Sequence, residues 1–222
     1  MFTAVIPVRG GSIRVKNKNI RPFAGTNLLI HKIRQLKLVA EIDKIVVSSD
    51  SSEMLQMAEE EGVGTHTRSW EYCDEKTAPF GEVVKNVAEG LTGDHLIWVL
   101  CTAPCIMPEH YSEGIGKYQK HVLNGEDDSL ITVQPFKKYI WDDNGPVNYQ
   151  LGRGHVPSQQ LPQYYMTTGL RIAPRVKMIE WAYFTGEKPY MYAIPPLNCV
   201  DIDDEDDLII AEVVYGLLTK KN

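Results

Sequence analysis

The stretch "AVIPVRGGSIRVKNKNI", residues 4–20, decides the fold. Its apolar start, residues 4–8, is continuous rather than alternating, which suits a strand buried on both faces of a parallel sheet. It runs directly into two glycines, a serine and the cations Arg9, Arg14, Lys16 and Lys18, with Arg21 just beyond and no acidic residue among them. Glycines and cations after a buried strand suit a loop that gathers backbone N–H groups and positive charge around phosphates. Neither GxxxxGK[ST] nor GxGxxG is present, so a P-loop and a dinucleotide fingerprint are both unsupported.

Working outward, apolar runs alternate with helical periodicity. Residues 3–8, 44–48 and 96–100 read as strands. Residues 27–39 read as a helix with Leu28, Leu29, Ile33 and Leu36 on one face; 52–61, with Ser52 as N-cap, and about 80–91 read as two more. Strand–helix–strand order at this spacing predicts right-handed βαβ units, hence an α/β fold with an open, mostly parallel, Rossmann-like sheet flanked by helices. Ligands of such sheets bind beyond the carboxyl ends of the strands, where residues 9–19 lie. The second half predicts strands at 129–134, 147–151, 170–173 and 190–194, a turn at "WDDNGP" and a helix at 205–218. Residues 152–165 are polar and proline-punctuated, which predicts a projecting arm. No repeat or linker divides the chain, so one domain is expected over residues 1–222.

The formal charge of −6 is concentrated in "DIDDEDD", residues 201–207, which holds six acids; outside it the chain is neutral. A basic face for nucleic acid is therefore not expected. The apolar run at 2–8 is too short for a secretory leader, and no run nears the roughly 18 residues that span a bilayer. Cys73, Cys101, Cys105 and Cys199 then read as free thiols of a reducing cytoplasm.

The loop resembles the signature of the CMP-sugar synthetases, cytidylyltransferases that activate sialic acid and related keto-acid sugars. Arg9, Gly10, Gly11, Ser12, Lys18 and Asn19 fall on matching positions. "VVSSD" (46–50), Arg68, "TAP" (102–104), "QQLPQYYMTTG" (159–169) and "VDIDDEDDL" (200–208) resemble further family segments, in family order and at family spacing.

The resemblance implies attack by the anomeric hydroxyl of a 2-keto acid sugar on the α-phosphorus of CTP, giving a CMP-sugar and pyrophosphate. Such transfer rests on positioning and charge neutralisation. Arg9 and Lys18 would hold triphosphate oxygens, Gly10, Gly11 and Ser12 would admit close backbone approach, and Asn19 would fix the loop or the ribose. Arg14 and Lys16 either assist or are solvated. Arg68 and the stretch 74–79, including Ala78, match where the family holds cytosine; Asp50 meets the ribose or closes its loop. In an extended "VDID", Asp201 and Asp203 face the same way, a hard-oxygen pair suited to Mg²⁺. One of the two would also take the hydroxyl proton. Asp204, Glu205 and Asp206 are expected to cap the last helix. Lys137, Gln159, Gln160 and Thr168 are expected on the sugar side. The subregion at about 135–170 would pack on a second subunit, making a homodimer.

Departures cluster on the sugar side. Ile13 stands where the family usually has lysine, Leu100 and Cys101 where sialic acid enzymes have Gln-Pro, Ser158 for an arm arginine and Thr168 for asparagine. Arg153, His155, Lys137 or Lys138 would supply the missing charge. The acceptor is therefore expected to be an acidic keto-sugar other than ordinary sialic acid, of pseudaminic or legionaminic type. Two alternatives are a nucleotidylyltransferase for a sugar 1-phosphate and a nucleotide-binding relative without turnover.

Overall fold

The computed structural model describes residues 1–11, 15–73 and 76–220. In chain order, β1 (Phe2–Pro7) is followed by the two-residue strands β2 (Pro22–Phe23) and β3 (Thr26–Asn27), then α1 (Leu28–Leu36) and β4 (Lys44–Ser49). Next come α2 (Ser52–Glu60), β5 (Gly64–Thr67), α3 (Phe80–Gly90), β6 (His95–Val99), α4 (Pro108–His121) and β7 (Ser129–Phe136). The chain then forms the small hairpin β8 (Trp141–Asp142) and β9 (Gly145–Pro146), the long β10 (Tyr164–Pro174), α5 (Arg175–Trp181), β11 (Pro189–Ala193) and α6 (Glu205–Thr219).

Seven strands form one sheet in the order β11-β7-β10-β6-β1-β4-β5. β6, β1, β4 and β5 are parallel neighbours, as are β11 and β7. β10 alone runs antiparallel to both of its neighbours. The fold is thus the open, mostly parallel α/β sheet that the apolar runs predict.

Side chains of β1 divide between two layers, as the pleat requires. Ala4 and Ile6 join a core with Leu29, Ile33 and Leu36 of α1, Met54 and Ala58 of α2, and Tyr111 and Ile115 of α4. Val5 joins the opposite core, with Val84, Val87 and Ala88 of α3 and Met178 of α5. A third cluster seats α6, through Leu208 and Ala211, on Phe23, Leu28 and Ile202. This anchors the segment just before α6 against the rest of the fold.

Two local readings are corrected, and a third, the α6 cap at Asp204, is found with Asp207 as an added partner. The N-cap of α2 is Ser51, whose hydroxyl accepts from Met54 N, rather than Ser52. Residues 147–151 form no strand, because no neighbouring strand offers them a ladder. The α6 cap is reciprocal: Asp204 accepts from Asp207 N at 3.0 Å, and Asp207 accepts from Asp203 N and Asp204 N. Glu205 and Asp206 add negative charge to the same first turn, where the helix dipole favours it.

Between β7 and β10, residues 137–163 carry little regular structure. Tyr139 stacks on His155 and meets Tyr149 edge-on, while Trp141, Val147 and Leu151 remain exposed.

Candidate active site

Beyond the carboxyl ends of β1, β5 and β6 opens a cleft of about 630 Å³, lined by Arg9, Lys18, Asn19, Arg68, Ala78, Trp98, Arg171 and Phe184 among others. The loop after β1 is held by its own polar groups. Gly10 N donates to Asp50 Oδ1 at 3.0 Å, so Asp50 closes the loop across from β4. Gly11 has a φ of +70°, a left-handed conformation that a Cβ would strain. Asn19 is buried: its Nδ2 donates to Arg9 O at 3.1 Å, and its Oδ1 accepts from Cys101 Sγ at 3.1 Å. Burial pushes the Cys101 thiol up to about 12, which keeps its proton available for that bond. Ser12 and Arg14, with Ile13, lie outside the described residues, as do residues 74 and 75 of the expected cytosine stretch.

Lys18 links the two ends of the chain. Its ammonium donates to Ile202 O at 2.7 Å and lies 3.6 Å from Asp203 Oδ1. Ile202 points away into the third core, so Asp201 and Asp203 flank a buried anchor. Asp203 is exposed, whereas Asp201 is half-buried with Oδ1 sealed and without a hydrogen-bond partner. Ile202 N in turn donates to Thr102 O at 2.9 Å, tying "VDID" to the loop after β6.

Arg9 Nη1 donates to Cys73 O at 2.7 Å. Arg68 is buried and committed: Nη2 donates to Val8 O at 2.6 Å and Nε lies 3.0 Å from Cys73 Sγ. Its visible work is to join the end of β1 to the turn at residues 69–73. Burial raises the Cys73 thiol, with the Arg68 charge opposing.

The sugar-side expectations separate from this cluster. Lys137, Gln159, Gln160 and Thr168 do not line the cleft. Lys137 Nζ donates to Gln159 O at 3.1 Å, within the segment between β7 and β10. Thr168 is buried, with its hydroxyl unpartnered. Conversely, Trp98, Phe80, Phe184 and Arg171 form a wall that the motifs did not mark. The rings meet edge-on or tilted at 5.5–6.5 Å. The available signal was Arg171 itself, a charge inside the apolar run "LRIA".

The donor set fits a hard divalent cation. Two carboxylates flank one backbone position, and one of them keeps a buried, unpartnered oxygen; Mg²⁺ takes such ligands and fills the rest with water and phosphate oxygen.

Residues 3–143 match the sequence profile of the family described as Cytidylyltransferase. The pseudaminic acid cytidylyltransferase of Campylobacter jejuni (serotype O:2) is 25% identical over 224 residues, covering 95% of this chain and 94% of the relative. The N-acylneuraminate cytidylyltransferase B of Danio rerio is 24% identical over 217 residues, covering 94% of this chain but 50% of the relative. The chain thus spans about half the length of the vertebrate relatives and nearly all of the bacterial one. Among solved structures, a CMP:2-keto-3-deoxy-manno-octonic acid synthetase complexed with CTP superposes with a TM-score of 0.68 at 14% identity, covering 100% of this chain and 99% of that one. At that identity the likeness concerns the fold. Among the described residues, no helix is long and apolar enough to cross a membrane.

Proposed function

The chain belongs to the cytidylyltransferase family, and we propose that it couples CTP to an acidic 2-keto sugar of pseudaminic or legionaminic type, releasing pyrophosphate. The carrying observation is the meeting of Lys18 with Ile202 O and Asp203, which brings the cationic loop and the aspartate pair to one place. Lys18 and Asp203 set opposite charges side by side, where a metal–triphosphate would meet both.

In this reading the hydroxyl oxygen of the sugar forms a bond to the α-phosphorus. The bond from that phosphorus to the bridging oxygen breaks, and its electron pair leaves on pyrophosphate. Arg9 and Lys18 hold the triphosphate and the departing pyrophosphate, with the Gly10–Gly11 backbone close beside them. Asp203 takes the hydroxyl proton at its carboxylate. Mg²⁺ held by Asp201 and Asp203 would neutralise phosphate charge and acidify the attacking hydroxyl. Cytosine would lie toward Arg68 and Ala78, which both line the cleft. The same reading makes residues 135–170 the arm of a cytoplasmic homodimer, and the exposed Trp141, Val147 and Leu151 support it.

Pyrophosphate release from purified protein, CTP and Mg²⁺, against a panel of eight- and nine-carbon keto acids, tests the proposal. Turnover with at least one acid, and with CTP over GTP or UTP, is expected. Failure with every acid overturns it. Light scattering tests the dimer, and a monomer at micromolar concentration would remove that part.

A further inference from the structure

Arg171 lies in β10 opposite Trp98 of β6 and is only 8% exposed. Its Nε and Nη1 are buried and have no hydrogen-bond partner. The guanidinium carbon lies over the Phe184 ring, 4.6 Å from its centroid. That contact attracts the charge but supplies no oxygen acceptor for the N–H groups. Burial lowers the basicity of the group, yet a guanidinium remains charged throughout the ordinary pH range.

A buried charge without in-plane partners is costly unless an anion completes it. Among the described residues no carboxylate lies within ion-pair distance of Arg171. Asp201 is near enough to act on its charge, but Asp201 Oδ1 is itself buried and unpartnered. Two groups of opposite sign thus keep buried, unpartnered atoms without closing on each other, and Arg171 is the one that lines the cleft. Arg171 is carried on a strand paired on both sides and packs against Phe184. Trp98, Phe184 and Phe80 around it are apolar, which lowers the local dielectric and strengthens whatever oxyanion it meets.

We infer that Arg171 is an oxyanion-binding residue of the cleft, receiving a carboxylate or phosphate oxygen of the substrate against the Trp98–Phe184 wall. The inference rests on the proposed reaction for its two sources, the carboxylate of the acceptor acid and the phosphates of the nucleotide.

Calorimetric titration of wild type, Arg171→Met and Arg171→Lys, without added metal, separates them. The probes are cytidine, CTP, and, with the protein saturated in CTP, each acid of the turnover panel and its methyl ester. Arg171→Met is expected to bind cytidine as wild type does and to lose at least tenfold in affinity for one anionic probe, with partial recovery in Arg171→Lys. The loss falls on CTP if the oxyanion is phosphate. It falls on a free acid and spares its ester if the oxyanion is the acceptor carboxylate. Unchanged affinity for every anion overturns the inference, as does an equal loss for cytidine and CTP, which would mark collapse of the wall. Should Arg171→Met not fold, Arg171→Lys alone decides: it must weaken an anionic probe and spare cytidine. Wild-type protein that binds CTP but turns over no acid would refute the proposed activity while leaving the CTP readout of Arg171 intact.

Discussion

The fully buried ammonium of Lys32 in α1 donates to the carbonyl of Ala103 at 2.9 Å, joining a helix to the loop that follows β6. The same ammonium reaches Tyr111 Oη at 2.9 Å and Ile106 O at 3.4 Å. Around it, Gln35 and His31 meet Pro104 O, Asn198 donates to Cys105 O, and Ile202 N donates to Thr102 O. Each carbonyl from residue 102 to 106 thus accepts from elsewhere in the fold. The polar face of α1 therefore sets the loop, and the loop sets the backbone between Asp201 and Asp203.

Removing the ammonium leaves Tyr111 Oη without its donor and Ala103 O with only the longer bond from Ile106 N at 3.4 Å. Lys32→Met is expected to lose about 2 kcal/mol of stability, read as a lower urea midpoint at unchanged slope. An unchanged midpoint would show that the loop holds itself.

His31 is nearly buried beside Lys32, and burial, reinforced by the Lys32 charge, lowers its pKa to about 4. Between pH 6.5 and 4 the unfolded chain binds a proton there that the folded chain refuses, so stability falls as pH drops through this window. The contribution is on the order of 3 kcal/mol. From pH 7 toward pH 4 the Tm of wild type should fall relative to that of His31→Gln, which has no proton to take up there. Parallel curves across the window would contradict the assignment.

Asp203 and Asp204 are neighbours with different tasks. Asp204→Ala removes the α6 cap and should cost about 1 kcal/mol with turnover retained. Asp203→Asn should abolish most pyrophosphate release with little change in melting temperature. Reversal of that pattern would return both residues to the helix.

Lys18→Met should weaken CTP about tenfold, the value of one charge-assisted hydrogen bond, and leave cytidine unaffected. Calorimetry with the two ligands reads this directly.

A Cβ at Gly169 would lie 2.4 Å from Ala103 Cβ, and Gly169 O already accepts from Leu100 N. Gly169→Ala is therefore expected to cost about 1–3 kcal/mol by overpacking, measured as a fall in Tm.

The strands β1, β4 and β6 were legible because both faces are buried and their apolar runs are unbroken. Asp204 announced its helix through capping chemistry. β5 was not legible, because "GTHT" lies at the sheet edge with no apolar alternation. α4 hides for a different reason: its inner face mixes His110, Tyr111, Gly114, Ile115 and Tyr118 and blurs the helical period. Residues 147–151 read as a strand from local composition, but pairing is decided by distant partners. The loop cations and "VDID" were visible as motifs, and their meeting through Lys18 agrees with the chemistry expected of them. Arg171 was legible only as an oddity, a charge inside the apolar run "LRIA"; the cleft it turns into is made by distant elements.

β10 is one strand with two addresses. It begins at Tyr164, where the exposed segment returns to the sheet, and reaches Arg171 in the cleft wall seven residues later, roughly 23 Å along the strand. Its pairing with β7 shifts register between Thr167 and Arg171. The proposed arm and the cleft wall therefore share one strand; if the arm holds a second subunit, binding at Arg171 and self-association would be linked through it, each acting on the other equally.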